Sequence, residues 1–227
     1  MKTLDILPTQ YTPKTIDAFF GPARRIAQCL KKSAEMCGKT GAPASHLLVG
    51  PSGSGKSALA RFCIEQFGAQ PWTTTEAFGA SLDMEMAESI AAEMRMSSLF
   101  EGYRAYFFDE IDNATKSARD HALKFIGEGQ PKRTLVIATS NLTPEAFDAL
   151  ERTTDERGCF TSRFQVWQVA CPKADELTPL IECWLPPDRA REVCAMAGTG
   201  PNGKPTLPIN VRGLLRDVTS VLQSIAL

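Results

Sequence analysis

The fold is decided by residues 47–57, which read Leu-Leu-Val-Gly-Pro-Ser-Gly-Ser-Gly-Lys-Ser. Three apolar residues at the start of this stretch indicate the end of a buried strand, and residues 58–64 that follow it predict a helix. A strand, a G-x-x-x-x-G-K-S loop and a helix, in that order, are the context that a phosphate-binding P-loop requires. A Gly/Ser-rich loop that matches by chance is the alternative, and the two flanking elements argue against it.

Each residue type in this loop has a chemical reason. Glycines lack a Cβ, so they let the backbone turn tightly around a phosphate. The loop N–H groups and the N-terminus of the helix then point at the anion. Lys56 can reach the β- and γ-phosphates, and the Ser57 hydroxyl can bind Mg2+. The sequence therefore predicts a nucleoside triphosphate site formed by Gly50, Pro51, Ser52, Gly53, Ser54, Gly55, Lys56 and Ser57.

A second acidic motif follows the apolar run Tyr106–Phe108, which predicts a buried strand. Asp109 at the end of this strand would stand beside Mg2+, so Ser57 and Asp109 are the predicted metal ligands. Glu110 would polarise a water molecule for attack on the γ-phosphate. Asp-Glu after a strand is also a common pair at a helix N-terminus. The P-loop upstream favours the catalytic interpretation.

Predicted strands alternate with helices through the first three quarters of the chain, which is typical of a doubly wound α/β domain. Residues 173–227 then predict helices alone. We therefore expect a nucleotide-binding base domain over residues 1–172, with an N-terminal arm at 1–21, and a small all-helical domain over 173–227. The remaining predicted strands are Ala77–Ser81, Thr134–Thr139 and Val166–Val169. The predicted helices include Pro22–Cys37, Asp83–Arg95, Ala174–Trp184, Asp188–Ala197 and Val211–Ile225. Pro179 is expected to kink or split the first helix of the second domain.

The composition excludes several classes of protein. The net charge of −1 gives no overall basic excess, so any contact with nucleic acid must come from a local patch. No apolar run is long enough to span a bilayer, and the N-terminus lacks the apolar core of a signal peptide. The seven cysteines are odd in number and include no C-x-x-C pair, which favours reduced thiols over disulfides or a zinc site. We expect a cytoplasmic protein that does not contact the membrane.

Taken together, these motifs resemble those of AAA+ ATPases, and within them most closely the group of clamp loaders and Holliday-junction branch-migration motors. The resemblance covers nearly the whole chain. It implies ATP and Mg2+ as ligands, and a P-loop domain with a five-stranded parallel sheet flanked by helices and followed by a small all-α lid. The matching segments are Tyr11–Asp17 (the opening motif, near the adenine), Gly50–Ser57 (Walker A), Phe78–Asp83, Phe107–Glu110 (Walker B), Ile137–Asn141 (sensor 1), Thr161–Phe164 (the serine–arginine motif) and Asn210–Leu215 (sensor 2).

The resemblance also implies three roles outside the P-loop. Asn141 would help to hold the attacking water, with Ser140 or Thr139 as alternatives if the strand is shifted. Arg212 would lie near the γ-phosphate, with Arg216 one helical turn on as its competitor.

Arg163 would be an arginine finger inserted into a neighbouring subunit's site, and Arg157 and Arg152 on the same segment compete for that role. A guanidinium near the γ-phosphate neutralises the charge that develops in phosphoryl transfer. A finger supplied in trans predicts an oligomer, either of this chain alone or with other AAA+ subunits.

Two departures from the group limit the analogy. Gly79 stands where asparagine is usual in the segment after the second strand. The sequence as given ends at Leu227, directly after the last predicted lid helix, so we do not expect the collar domain of clamp loaders. A base-plus-lid module suits a helicase loader or another ATP-gated assembly on DNA.

DNA contacts are expected at Lys116 and Arg119, because cations in the first turns of a helix oppose the helix dipole and a phosphate backbone would compensate them. The resemblance places this region at a central DNA channel. Local neutralisation by Asp120 and Glu128 is the alternative.

These inferences predict an oligomeric ATPase that loads or remodels a protein assembly on DNA, with a replication protein as its expected client. Glu110, Asn141 and Arg163 are its predicted catalytic residues. A nucleotide-gated binding module with little turnover is the first alternative. A P-loop kinase of small molecules is the second, which Asp109-Glu110 and the all-helical C-terminal segment disfavour.

Overall fold

The computed structural model of the protein describes residue 7 and residues 10–96, 102–122, 129–151, 163–198 and 209–225. Its centre is a five-stranded sheet in which all neighbouring strands run parallel, in the order β2-β3-β4-β1-β5. This confirms the predicted α/β fold. The strands are β1 (Ala44–Val49), β2 (Thr74–Phe78), β3 (Arg104–Asp109), β4 (Thr134–Ser140) and β5 (Gln165–Gln168).

Helices cover both faces of the sheet, which explains why its central strands are apolar at almost every position. Leu48 and Phe107 point to the face covered by α1 (Pro22–Thr40) and α2 (Lys56–Gln66). Their neighbours, such as Leu47 and Phe108, point to the opposite face. Helices α3 (Met84–Arg95), α4 (Lys116–Ala122) and α5 (Pro144–Glu151) pack there.

The last three helices form a separate small core. They are α6 (Ala174–Ile181), α7 (Pro187–Ala197) and α8 (Val211–Ile225), and Leu177, Ile181 and Val218 are among their fully buried side chains. Tyr11 and Phe20 of the N-terminal arm pack against this cluster. The division into a base at 1–172 and a lid at 173–227 stays a prediction. Across the described residues, no helix combines the length and the apolar character that a membrane span needs.

The second strand differs from its predicted position. It pairs with β3 from Thr74 to Phe78, and Gly79–Ser81 forms a 3-10 turn instead of continuing the strand. The β-branched threonines at 74 and 75 favour the strand, a signal that the apolar run alone did not show. Helix α5 has no counterpart among the predicted helices, and α6 ends at Ile181, two residues after Pro179, instead of reaching Trp184.

Candidate nucleotide site

The predicted site residues follow three different strands of the sheet. The P-loop follows β1, Asp109 is the last residue of β3 with Glu110 next to it, and Asn141 follows β4. Val49 pairs with Ser140, and Phe108 pairs with Ala138, so these strands end at the same level. Because the carboxyl ends of parallel strands share one edge of a sheet, the topology brings the predicted groups together.

Lys56 lies in the first turn of α2 and is only 6% exposed. Its ammonium donates three hydrogen bonds, to the carbonyl oxygens of Gly50 and Pro51 (2.8 Å each) and to Oδ1 of Asn141 (2.9 Å). Burial lowers the pKa of Lys56, and nearby carboxylates, Asp109 first, oppose that shift. All three ammonium donors are thus held at the base of the loop.

The magnesium ligands predicted from sequence lie side by side. The Ser57 hydroxyl donates to both oxygens of the Asp109 carboxylate, at 3.0 and 3.1 Å. Thr139 on β4 also donates to Oδ1 of Asp109, at 2.5 Å. A hydroxyl and a carboxylate are the hard oxygen ligands that Mg2+ takes beside substrate phosphates, so this pair fits that ion. No group of three or more His, Cys, Asp or Glu side chains suited to a metal occurs within the described ranges.

Glu110 has an unusual backbone conformation, with φ 52° and ψ 50° in the left-handed region. Such a conformation is uncommon for a residue other than glycine, and surrounding contacts must hold it. The Glu110 N–H donates to the Thr139 hydroxyl at 2.8 Å, and its carbonyl accepts from the Asn113 N–H at 3.0 Å. The side-chain amide of Asn113 donates to Oε2 of Glu110 at 3.1 Å. The carboxylate therefore leaves the sheet edge in a defined direction.

Asp112 links two of these motifs. Its Oδ1 accepts a hydrogen bond from the backbone N–H of Asn141 at 3.2 Å. The turn after β3 thereby fixes the start of the segment after β4, which carries the Asn141 side chain to Lys56. Sequence reasoning missed Asp112 and Asn113. The repeated acidic pattern Asp109-Glu110-Ile111-Asp112 was the available signal.

A single pocket contains this polar cluster and an apolar end. The polar end is lined by residues 52–57, Asp109, Glu110, Thr139 and Asn141. The apolar end is formed by the arm, the start of α1 and the lid helices, which is the chemistry that a flat aromatic base needs. Its apolar lining consists of Tyr11, Pro13, Ala18, Phe19, Phe20, Ala23, Pro172, Leu177, Leu180, Val211 and Leu215.

The lid touches the P-loop directly. The Val211 N–H donates to the Gly53 carbonyl at 3.1 Å, and a Cβ on Gly53 would lie 2.8 Å from Nδ2 of Asn210, closer than real Cβ atoms come. Another residue at position 53 would have to displace the Asn210 side chain and would be strained by the φ of +77°. Arg212, in the first turn of α8, is exposed and lines the same pocket.

Arg163 precedes β5, the outermost strand, at the end of the sheet that lies away from the P-loop. Gln165 at the start of β5 pairs with His46, four residues before the P-loop begins. At about 3.3 Å per residue along the strands, Gln165 is roughly 13 Å from the level of Gly50, and Arg163 precedes it in a turn. Arg163 does not line the pocket. Its competitors Arg152 and Arg157 lie outside the described residues.

The two predicted DNA contacts differ in position. Arg119 is 3% exposed, and its guanidinium donates to the carbonyls of Ala114 and Asp112. The side chain turns inward against the turn after β3, which disfavours a contact with DNA, and the Arg119 contact stays a prediction. Lys116 is half-buried at the start of α4, and its contact with DNA stays a prediction. Of the neutralising acids proposed from sequence, Asp120 is exposed and Glu128 lies outside the described ranges.

Comparison with known structures identifies the same fold elsewhere. The structure of the Thermotoga maritima RuvB Holliday-junction branch-migration motor is similar with a TM-score of 0.66 and 20% identity. That match covers 94% of this chain and 67% of the RuvB chain. NtrX from Brucella abortus in complex with ADP is similar with a TM-score of 0.55 and 16% identity, over 95% of this chain and 52% of that one. At these identities the likeness shows the fold alone.

Sequence comparison is more specific about the family. The chain matches no curated protein sequence. The model of the AAA family, the ATPase family associated with various cellular activities, matches residues 46–166. That range begins in β1 and ends in β5, so it contains the P-loop, Asp109-Glu110 and Asn141. A family match over more than half of the chain, on the segment that carries the predicted phosphate-binding and magnesium-binding residues, shows that this protein belongs to the AAA family of ATPases.

Proposed function

We propose that this chain is a Mg2+-dependent ATPase that works as an oligomer and couples ATP hydrolysis to the loading or remodelling of a protein assembly on DNA. One observation carries the hydrolytic part of this proposal. Lys56, Ser57, Asp109, Glu110 and Asn141 line one pocket, with hydrogen bonds of 2.9 Å from Lys56 to Asn141 and 3.0 Å from Ser57 to Asp109.

The bonding of Lys56 supports a phosphate-binding role. Its acceptors are two loop carbonyls and one amide oxygen, all neutral groups. Phosphate oxygens carry formal charge and make stronger hydrogen bonds with an ammonium, so they would replace these acceptors when ATP binds. Ser57 and Asp109 would hold Mg2+, which offsets the charge of the β- and γ-phosphates.

Glu110 and Asn141 would act on the water. The Glu110 carboxylate lines the pocket beside Asp109, where it can accept a proton from water attacking the γ-phosphate. Asn141 lies within hydrogen-bond distance of Lys56, so its amide can orient that water relative to the phosphate. Both groups act on water as the acceptor of the phosphoryl group and need no second substrate. This favours hydrolysis over transfer to a small molecule.

The position of Arg163 supports an oligomer. Arg163 does not line the pocket of its own chain, and it precedes the end of β5 that lies away from the P-loop, which favours a role in a neighbour's site. A neighbouring copy or a related AAA+ subunit that presents its own site to this edge of the sheet could use Arg163 there. Hydrolysis would then depend on assembly.

Action on DNA is the part of the proposal that rests on analogy. The fold is similar to that of a protein named as a Holliday-junction branch-migration motor. Lys116 remains the candidate for a phosphate-backbone contact. The client, a replication protein by the resemblance to clamp loaders, would be moved or released when the oligomer hydrolyses ATP.

Glu110→Gln tests the hydrolytic role. Steady-state phosphate release should fall about a hundredfold or more, since a general base is lost, while ATP binding is retained. If the variant hydrolyses ATP as fast as wild type, the proposed mechanism is wrong. Slow turnover by the wild type that neither DNA nor a partner changes would favour the nucleotide-gated binding module instead.

Mixing two inactive variants tests whether Arg163 acts as an arginine finger in a neighbouring subunit. Arg163→Ala keeps an intact site, and Glu110→Gln keeps an intact finger, so a 1:1 mixture should recover up to about a quarter of wild-type activity if interfaces form head to tail at random. Each variant alone should be at least a hundredfold slower than wild type. Arg189→Ala, an exposed arginine on α7, is the control and should hydrolyse normally. No recovery in mixtures that do co-assemble would contradict a finger in trans.

A further inference from the structure

Glycine 79 begins the turn that follows β2, directly beside the turn that follows β3. Phe78, the last residue of β2, pairs with Asp109, the last residue of β3. Both chains then leave the sheet at the same edge, β2 into the 3-10 turn Gly79–Ser81 and β3 into Glu110 and the turn Ile111–Asn113. Gly79 is buried between them.

The contact between these two turns leaves no room for a side chain. A Cβ built on Gly79 would lie 2.8 Å from the carbonyl carbon of Glu110, closer still to its oxygen, and 3.1 Å from the Cα of Ile111. Real Cβ atoms essentially never come within 3.0 Å of another heavy atom. The obstructing atoms belong to the backbone, so they cannot rotate away as the end of a side chain could. Any other residue at position 79 must displace Glu110 or its own turn.

Space, and not backbone conformation, is the reason for glycine here. Gly79 is not among the residues with positive φ, whereas Glu110 is. The left-handed conformation of Glu110 turns its carbonyl group toward Gly79 and onto the N–H of Asn113, while its N–H faces Thr139. Glu110 is thus held from three sides, by β4, by the following turn and by Gly79.

We infer that Gly79 is a positioning residue for hydrolysis, which sets the direction of the Glu110 carboxylate through backbone contact alone. This inference rests on the proposed role of Glu110. It also accounts for the departure noted in the sequence, where asparagine is usual at this position. An asparagine would place its Cβ on the Glu110 carbonyl, so glycine at 79 and the left-handed Glu110 belong together.

The test is the rate of hydrolysis by Gly79→Ala, with Gly38→Ala as the matched control. A Cβ on Gly38, in the exposed part of α1, meets no atom within 4 Å. Displacement of a catalytic group by about 1 Å can cost about a hundredfold in rate, so Gly79→Ala should lower kcat at least tenfold. Binding of a fluorescent ATP analogue should stay within about threefold, because the atoms nearest to that Cβ belong to Glu110 and Ile111 and not to the P-loop. Gly38→Ala should match wild type in both measurements.

Two further variants separate positioning from folding. In the Glu110→Gln background, Gly79→Ala should leave the residual rate unchanged within about twofold, since the group on which it acts is already absent. Gly79→Asn should lower kcat at least as much as Gly79→Ala. The inference is overturned if Gly79→Ala keeps kcat within twofold, or if it loses nucleotide binding along with activity, which would make Gly79 a requirement of the fold. If Glu110→Gln itself hydrolyses normally, it is the proposed function that fails.

Discussion

The amide oxygen of Asn141, at the end of β4, accepts a hydrogen bond from the Lys56 ammonium at 2.9 Å, across 85 positions of sequence. This bond joins the phosphate-binding lysine to the residue proposed to orient the water. The backbone N–H of Asn141 is held by Asp112 from the turn after β3. Three strands therefore determine the geometry at one point, and a shift in any of them changes the distance between phosphate and water.

Thr139 should be as important to this site as the residues named from motifs. It is fully buried, accepts from the Glu110 N–H and donates to Asp109. Thr139→Val keeps the shape but leaves the part-buried Glu110 N–H without its acceptor, so we expect a loss of about 1 kcal/mol in unfolding free energy and a clear fall in kcat. Urea denaturation and steady-state hydrolysis measure both quantities.

Thr139→Ser is the control for that substitution, because serine keeps the hydroxyl and loses only a methyl group. It should retain most of the activity. Equal rates for the valine and serine variants would mean that the hydroxyl does not position Glu110 or Asp109.

The burial of His46 should make the free energy of unfolding fall at acidic pH. It is 1% exposed on β1, its Nδ1 accepts from the Trp167 indole at 3.3 Å, and burial lowers its pKa to about 4. A histidine whose pKa falls on folding stabilises the protein above its unfolded pKa of about 6.5, and that contribution is lost as pH falls toward 4. Between pH 7.5 and 5, wild type should lose about 2 kcal/mol through this group.

The comparison with His46→Gln isolates that effect from the carboxylates, which are the same in both proteins. Glutamine does not titrate, so the difference in unfolding free energy between wild type and variant should shrink by about 2 kcal/mol from pH 7.5 to pH 5 in urea denaturation. A difference that does not depend on pH would show that His46 is not held neutral.

Substitutions of Arg119 and Lys116 should separate an effect on stability from an effect on DNA binding. Arg119→Met removes a buried guanidinium that donates to two backbone carbonyls, so it should cost about 1–3 kcal/mol in stability and leave the salt dependence of DNA binding unchanged. Lys116→Gln should reduce the salt slope by about one phosphate contact. Fluorescence anisotropy with duplex DNA, at several salt concentrations and with a slowly hydrolysed ATP analogue, measures the slope. A reduced slope for Arg119→Met with unchanged stability would instead support the predicted DNA contact of Arg119.

The sequence alone was sufficient for the parts of this protein whose signals are local. The order strand, glycine-rich loop and helix at residues 47–64 predicted the P-loop, and continuous apolar runs before Asp109 and Asn141 predicted two more buried strands. Glycine spacing, apolar runs and an acidic pair are properties of neighbouring residues, so they can be recognised before the chain is folded. The same signals located the helices of the lid to within a few residues.

Only the tertiary structure decided which atoms meet across strands. The bonds of Thr139 to Glu110 and Asp109, the inward turn of Arg119 and the contact of Gly79 with Glu110 join segments that are far apart in sequence. They depend on strand order, on pairing such as Phe78 with Asp109, and on the left-handed backbone at Glu110. The spacing of motifs along the sequence does not determine those distances, because they are set when β2, β3 and β4 align side by side.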